Sequence, residues 1–299
     1  MFVTAIEKVT PFTRPINFIT RYYGGGEIVP GSATMFFVNE QGFAVTCKHV
    51  VEHIVHGQAI YSHFLKFKGE LRKFEKEKNH SLHQKRLEDH YGMTKETVIR
   101  ILPNFLNSVR RELTMEITPH PTQDLAIIKF ASFDENFYQG HAFFLRDGDV
   151  RQGRSLCRLG YPFPEFTNYR YNKDMDDIEW TTDGRQSSPS FPLDGIVTRQ
   201  IGDPVTNRVQ GIELSTPGLR GQSGGPLFDR HGIVYGMQSS TRHLHLGFDQ
   251  INKEVSIGAK KQRVSNYPFL NVGQCVHVNV IKEFLREKGV KYYEADPGV

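Results

Sequence analysis

The sequence predicts an all-β protein, a barrel or sandwich, with one helical insertion and a closing helix. Three observations predict it. Short runs of β-branched and aromatic residues recur along most of the chain. Turns containing Gly and Pro separate them. One stretch, 61–106, breaks the pattern, because its apolar residues fall at three- and four-residue steps.

Residues 1–23 alternate loosely between apolar and polar, with Pro11 and Pro15 as breakers. Gly24-Gly25-Gly26 and Pro30-Gly31 mark loops. A β-hairpin follows: strand formers over 33–38, the turn Asn39-Glu40-Gln41-Gly42, and a return strand over 43–46. Phe64, Phe67, Leu71 and Phe74, with Lys and Glu between them, predict an amphipathic helix. Val98, Ile101, Leu102 and Phe105 predict a second helix, disturbed by Pro103. The helical insertion is placed at about 61–110. From Met115 the strand pattern returns, over 125–130, 155–159, 195–200, 211–215 and 233–238. The closing helix is placed at about 279–288, with Asn279 as N-cap, an apolar stripe of Ile281, Phe284 and Leu285, and Gly289 as the stop.

Bulk properties narrow the function. At 299 residues the chain can form one large domain or two small ones, and 38% hydrophobic with 12% aromatic residues excludes wholesale disorder. No apolar run is long enough to span a bilayer, so no membrane partner is expected. The N-terminus lacks the pattern of a secretory signal, and Cys47, Cys157 and Cys275 are too few and too scattered for a disulfide framework. Both point to a cytoplasmic location. A net charge of +4, without aromatic residues interleaved among the basic ones, implies no nucleic-acid partner. His243-Leu244-His245, with Asp249 nearby, has a spacing a metal can use but lacks further ligands; no metal or cofactor is expected. Lys260-Lys261-Gln262-Arg263 reads as a solvated loop.

The strongest chemical signal is Gly221-Gln222-Ser223-Gly224-Gly225-Pro226-Leu227. A serine hydroxyl is a poor nucleophile near neutral pH and needs a base beside it. Attack on a carbonyl also creates an oxyanion that needs donors. Backbone N–H groups supply them where the chain turns sharply, which flanking glycines permit. Thr46-Cys47-Lys48-His49-Val50-Val51 sets a histidine at the end of a β-rich run, and Gln123-Asp124-Leu125-Ala126-Ile127-Ile128 opens an apolar strand with an aspartate. Taken singly these are a surface turn, a half-buried histidine and a strand-start turn residue. Arriving in the order His, Asp, Ser, each in a fitting context, they point to catalysis by Ser223, His49 and Asp124.

On those three segments the sequence resembles the chymotrypsin-fold, trypsin-like serine proteases. The order His–Asp–Ser separates it from subtilisin-like and α/β-hydrolase arrangements. The resemblance implies two packed six-stranded antiparallel β-barrels with the site between them. Residues 1–145 would carry His49, Asp124 and the insertion, and residues 146–299 would carry Ser223 and the closing helix. It implies a serine endopeptidase acting on polypeptides through an acyl-enzyme, with Ser223 as nucleophile, His49 as general base and Asp124 orienting the imidazole. The backbone N–H groups of Gly221 and Ser223 would form the oxyanion hole. The segment 153–162 looks like an early barrel strand of HtrA-type relatives.

Departures from the family narrow the branch. Gln222 stands where the zymogen-activated enzymes carry an aspartate, so no activation by N-terminal cleavage is expected. That places the chain nearer the HtrA-type and glutamyl-endopeptidase-type branch, as a stand-alone unit without a PDZ module. Pro217 occupies the position of the acidic residue that selects Arg or Lys in trypsin. Counting onward puts Gln238, Ser239 and Ser240 beside it in the pocket wall, neutral side chains that favour a small or polar P1 residue. The insertion reads as a lid, a partner or oligomer contact, or a tolerated surface excursion. Two other readings stay open: a latent or inactive protease-fold module that binds peptides or partner proteins, and an esterase.

Overall fold

The computed structural model describes residues 1–25, 27–105, 114–131, 140–258 and 260–297. The last part of the expected insertion, 106–110, lies outside the described residues.

Six strands form the first sheet: β1 (Thr13–Tyr22), β2 (Ile28–Phe37), β3 (Phe43–Thr46), β4 (Val98–Asn104), β5 (Met115–Pro119) and β6 (Ala126–Phe130). Their order is β4-β1-β2-β3-β6-β5, and every neighbouring pair is antiparallel. This sheet curls without closing; β4 and β5 are its edges among the described residues. The hairpin expected around 39–42 is the β2–β3 connection, with Gly42 at φ 78°.

The second half contributes β7 (Phe143–Leu145), β8 (Ser155–Gly160), β9 (Tyr169–Asn172), β10 (Asp177–Trp180), β11 (Phe191–Gly202), β12 (Val209–Leu214), β13 (Pro226–Phe228), β14 (Val234–His245), β15 (Gln250–Ile257), β16 (Lys260–Asn266), β17 (Phe269–His277) and β18 (Tyr293–Ala295). Strands β13-β8-β11-β12-β17-β14 are joined in that order, and a β13–β14 pairing closes them into a six-stranded barrel. Strands β7 and β18 extend this sheet in parallel at β14. A closed barrel beside a curled six-stranded sheet is the chymotrypsin-like double-barrel arrangement. One continuous core runs through both, from Phe36 and Phe37 to Leu159, Leu227 and Phe284, all buried. Each such side chain contributes roughly 1.5–3 kcal/mol on burial.

Four α-helices complete the fold among the described residues: α1 (Val3–Val9), α2 (Lys48–Arg72), α3 (His80–Tyr91) and α4 (Val278–Glu287). Helix α2 starts thirteen residues before the expected point, at 48 rather than 61. The reason is visible in its buried face: Val50, Val51, Ile54, Gly57, Phe64 and Phe67 keep one helical register straight back to the histidine segment. Gly57 lets α2 lie against β4, since a Cβ there would come within 3.1 Å of the Ile101 Cβ. The helix expected over 98–105 is instead strand β4, paired with β1. β-Branched Val98, Ile99 and Ile101 suit a pleated strand, and Pro103 is tolerated at a sheet edge. The run at 260–263 is likewise strand, paired with β15 in an exposed hairpin, rather than loop.

Helix α4 is capped by His277 rather than Asn279: the His277 Nδ1 accepts from the Asn279 N–H at 3.1 Å. Burial, reinforced by the Lys282 charge, lowers the His277 pKa to about 4, which keeps the ring neutral for that role. Buried Lys282 donates to the Leu145 and Arg146 carbonyls and to Glu294 at 2.9, 2.6 and 2.8 Å, tying α4 to β7 and β18. Gly289, at φ 66°, ends the helix as expected. No helix among the described residues is long and apolar enough to cross a membrane.

Candidate active site

The strand-to-helix junction after β3 builds the first part of the site. Cys47 is extended at φ −73°, ψ 146°, and Lys48 begins α2, so His49 sits in the helix's first turn. Backbone N–H groups there have no partner within the helix. The His49 N–H donates to Asp124 Oδ1 at 3.1 Å. The His49 ring adds to this, with Nδ1 at 3.0 and 2.9 Å from the two Asp124 oxygens. Asp124 stands two residues before the start of β6, which pairs with β3 and so holds the aspartate beside α2. A carboxylate facing Nδ1 fixes the proton on Nδ1 and leaves Nε2 as an acceptor.

Charge and hydrogen bonding favour the ion pair. The bond to Asp124 raises the His49 pKa against the opposing effect of burial. Burial would raise the Asp124 carboxyl, but hydrogen bonds from the His49 ring, the Ser239 hydroxyl and the His49 backbone hold it at about 2. Ser239 Oγ donates to Asp124 Oδ2 at 2.5 Å, a link from the second barrel to the acid of the first.

Ser223 lies between β12 and β13, in a loop shaped by glycine. Gly221 and Gly224 have φ 91° and 87°. A Cβ on Gly224 would collide with the Thr34 carbonyl and the Thr46 hydroxyl, and one on Gly221 with the Tyr161 carbonyl. Thr34 clasps the loop from the first sheet: its Oγ1 donates to the Gly221 carbonyl at 2.7 Å, and its N–H to the Ser223 carbonyl at 2.9 Å. The Gly221 and Ser223 N–H groups have no protein acceptor among the described residues. Gln222 is buried; its side chain accepts from the Leu219 N–H at 3.0 Å and donates to the Phe191 carbonyl at 3.1 Å. Replacing Gly224 by Ala is expected to cost at least about 2 kcal/mol, from overpacking and left-handed strain, and denaturant unfolding with the linear extrapolation measures it.

His49, Gly221 and Ser223 line one cavity of about 520 Å³ that also takes in Phe18, Val29 and His53. Ser223 equally lines a second cavity, of about 410 Å³, on its other side. The serine thus stands where two hollows meet. Its hydroxyl donates to the Ser239 carbonyl at 3.2 Å. Pro217, Gln238, Ser239 and Ser240 all line the second cavity. Ser239, read from sequence as pocket wall, directs its hydroxyl to Asp124 instead. His243 and His245 do not converge: the first meets Asn271 Oδ1 at 2.6 Å, the second Asp249 Oδ1 at 2.6 Å. Cys47, His49 and Asp124 bring possible ligand atoms within 4.8 Å of one another. The Cys47 thiol, pushed well up by burial, donates to the Gln238 carbonyl at 3.2 Å.

One contact and one residue escaped the sequence reading. The contact is that of Ser239 with Asp124. The residue is Arg158 on β8, fully buried against Gln238. Its signal was available: an arginine inside the apolar strand run Leu156-Cys157-Arg158-Leu159.

The family model for the trypsin-like peptidase domain matches residues 31–237. Among solved structures, the HtrA-type protease AlgW with a decapeptide is similar at TM-score 0.51 and 12% identity, covering 96% of this chain and 67% of that one. The same protease with a tripeptide gives TM-score 0.48 and 12% identity, covering 97% and 65%. At 12% identity the first of these likenesses, at TM-score 0.51, shows the fold alone. The chain spans about two thirds of the length of these structures. No curated protein matches by sequence.

Proposed function

We propose that this chain, which belongs to the trypsin-like peptidase family, is a serine endopeptidase with Ser223 as nucleophile, His49 as base and Asp124 as its orienting acid. The observation that carries the reading is the His49–Asp124 pair, with Nδ1 to Oδ2 at 2.9 Å, facing the glycine-shaped Ser223 loop across one cavity. The same reading divides the chain at about 145/146 into a half that carries base and acid and a half that carries the nucleophile.

Catalysis would begin with rotation of the Ser223 hydroxyl from the Ser239 carbonyl towards His49 Nε2. His49 takes the proton as Oγ attacks the scissile carbonyl, and Asp124 stabilises the imidazolium. The free N–H groups of Gly221 and Ser223 receive the oxyanion. His49 then protonates the leaving amine, and water releases the acyl group by the same steps. The substrate is a polypeptide, lying along the two cavities that flank the serine. Activation by N-terminal cleavage has no role in this reading, because Gln222 is engaged by uncharged backbone groups.

A latent resting state is the second reading, and the Ser223-to-Ser239 hydrogen bond favours it. One assay separates the two. Wild-type protein and His49→Ala are incubated with a quenched-fluorescent peptide library, with cut sites read by mass spectrometry. Cleavage by wild type and none by His49→Ala supports the peptidase. A lag that a second peptide removes supports latency, and equal turnover by both proteins contradicts the assignment.

A further inference from the structure

The cavity on the acyl side of Ser223 carries a charge arrangement that the neutral residues of its wall conceal. Arg158 on β8 is fully buried and does not itself line the cavity; it lies against Gln238, which does. Its Nη1 donates to Gln238 Oε1 at 2.5 Å, and its Nη2 to the Thr216 carbonyl at 2.7 Å and to the Thr216 hydroxyl. Nε has no partner. No carboxylate lies within ion-pair distance of this guanidinium among the described residues. Gly273 makes room for it, since a Cβ there would strike Nη1. Burial works against the charged form of Arg158, and Asp194 on the paired strand β11 opposes this only in part and without touching it; a carboxylate brought by a ligand would supply the counter-charge.

Gln238 connects Arg158 to the cavity. Its Oε1 accepts from Arg158 and from the Cys275 thiol at 3.5 Å, which fixes the orientation of the amide. Nε2 therefore turns to the cavity side, against Gly218, donating to the Ser240 carbonyl at 2.8 Å and to the Gln274 carbonyl at 3.3 Å. At the mouth stand exposed Arg220 and His243, and no Asp or Glu lines the cavity among the described residues. Asn271 accepts from His243 Nδ1, leaving Nε2 for another partner.

We infer that this cavity selects an acidic residue, glutamate or aspartate, on the acyl side of the scissile bond, with Arg158 as the specificity-determining charge acting through Gln238. The inference rests on the peptidase reading for the existence of a scissile bond; the charge arrangement around the cavity does not depend on it. The incoming carboxylate replaces the longer Gln238 bond, to the Gln274 carbonyl, and meets a field of three cationic or protonatable groups. A lysine or arginine side chain meets the same field with the wrong sign. It differs from the small-or-polar preference that Gln238, Ser239 and Ser240 alone would give.

The test uses matched peptides that differ only at the P1 residue: Glu, Asp, Gln, Leu or Lys. Wild-type protein is assayed for cleavage, and Ser223→Ala for binding by fluorescence anisotropy. Hydrogen bonds to charged groups of this kind predict a preference for Glu over Gln of about 10- to 100-fold in both readouts. Arg158→Met brings the ratio to within about threefold while cleavage after Gln persists, and Arg158→Lys retains part of it. Should Arg158→Met fail to fold, exposed Arg220→Gln is expected to reduce the ratio a few-fold. Equal binding of Glu and Gln peptides by Ser223→Ala overturns the inference. So does an unchanged ratio in Arg158→Met. A Glu preference in Ser223→Ala with no cleavage by wild type upholds the pocket and removes the peptidase reading; cleavage after Leu or Lys does the reverse.

Discussion

Ser223→Ala is expected to lower kcat for peptide cleavage about 10⁶-fold, with peptide binding retained. The hydroxyl is the only group lost, and among the described residues its one hydrogen bond is to the Ser239 carbonyl at 3.2 Å. The loop should hold its shape, because Thr34 grips the Gly221 and Ser223 carbonyls rather than the side chain. Residues that act as one chemical unit are strongly non-additive. The double variant Ser223→Ala/His49→Ala should therefore be no slower than Ser223→Ala alone. Single-turnover kinetics on the three proteins measure this. An additive double loss would mean that His49 and Ser223 act independently.

Asp124→Asn should cost about 10⁴-fold in kcat, and it should also move the pH profile. The geometry explains both. Asp124 accepts from His49 Nδ1 at 2.9 Å and so leaves Nε2 unprotonated. An asparagine amide can donate to Nδ1 instead, which puts the proton on Nε2, where it cannot accept one from Ser223. The pH effect follows from the raised His49 pKa, whose first cause is that hydrogen bond. A general base works when neutral, so activity falls as pH drops through its pKa. The acid limb of kcat/KM in the wild type should lie above the ordinary histidine value of 6.5, and Asp124→Asn should shift it downward. An acid limb that stays in place would detach Asp124 from the titration.

What the sequence disclosed and what it concealed divide along physical lines. The three candidate catalytic residues were legible because each role has a local cause. Ser223 sits among glycines that a backbone-donor turn requires, Asp124 stands just ahead of a buried strand, and His49 follows one. The strands were legible for the same reason, since alternation and turn residues act within a few positions. Helix α2 was misplaced because its first two turns carry His49, Glu52, His53 and His56 on the outer face, which masks the buried register of Val50, Val51 and Ile54. Strand β4 was misread because its spacing also fits a helix, and only pairing with β1, far earlier in the chain, decides between them.

Long-range contacts account for the rest. Ser239 reaches Asp124 across 115 positions, and Arg158 reaches Gln238 across 80. No local pattern encodes such a meeting. A buried arginine in an apolar strand announces only that some partner must exist. The contact of Arg158 with Gln238 was therefore hidden from a reading that could see Gln238, Ser239 and Ser240 but not what lies behind them.

Labelling by a fluorophosphonate, which phosphonylates only an activated serine, tests the central claim most directly. Intact mass and peptide mapping would locate the adduct. The account predicts one adduct per chain, on Ser223, formed rapidly by wild type, very slowly by Asp124→Asn and not at all by His49→Ala. Folded wild-type protein that takes no adduct, or takes it on another residue, would contradict the account.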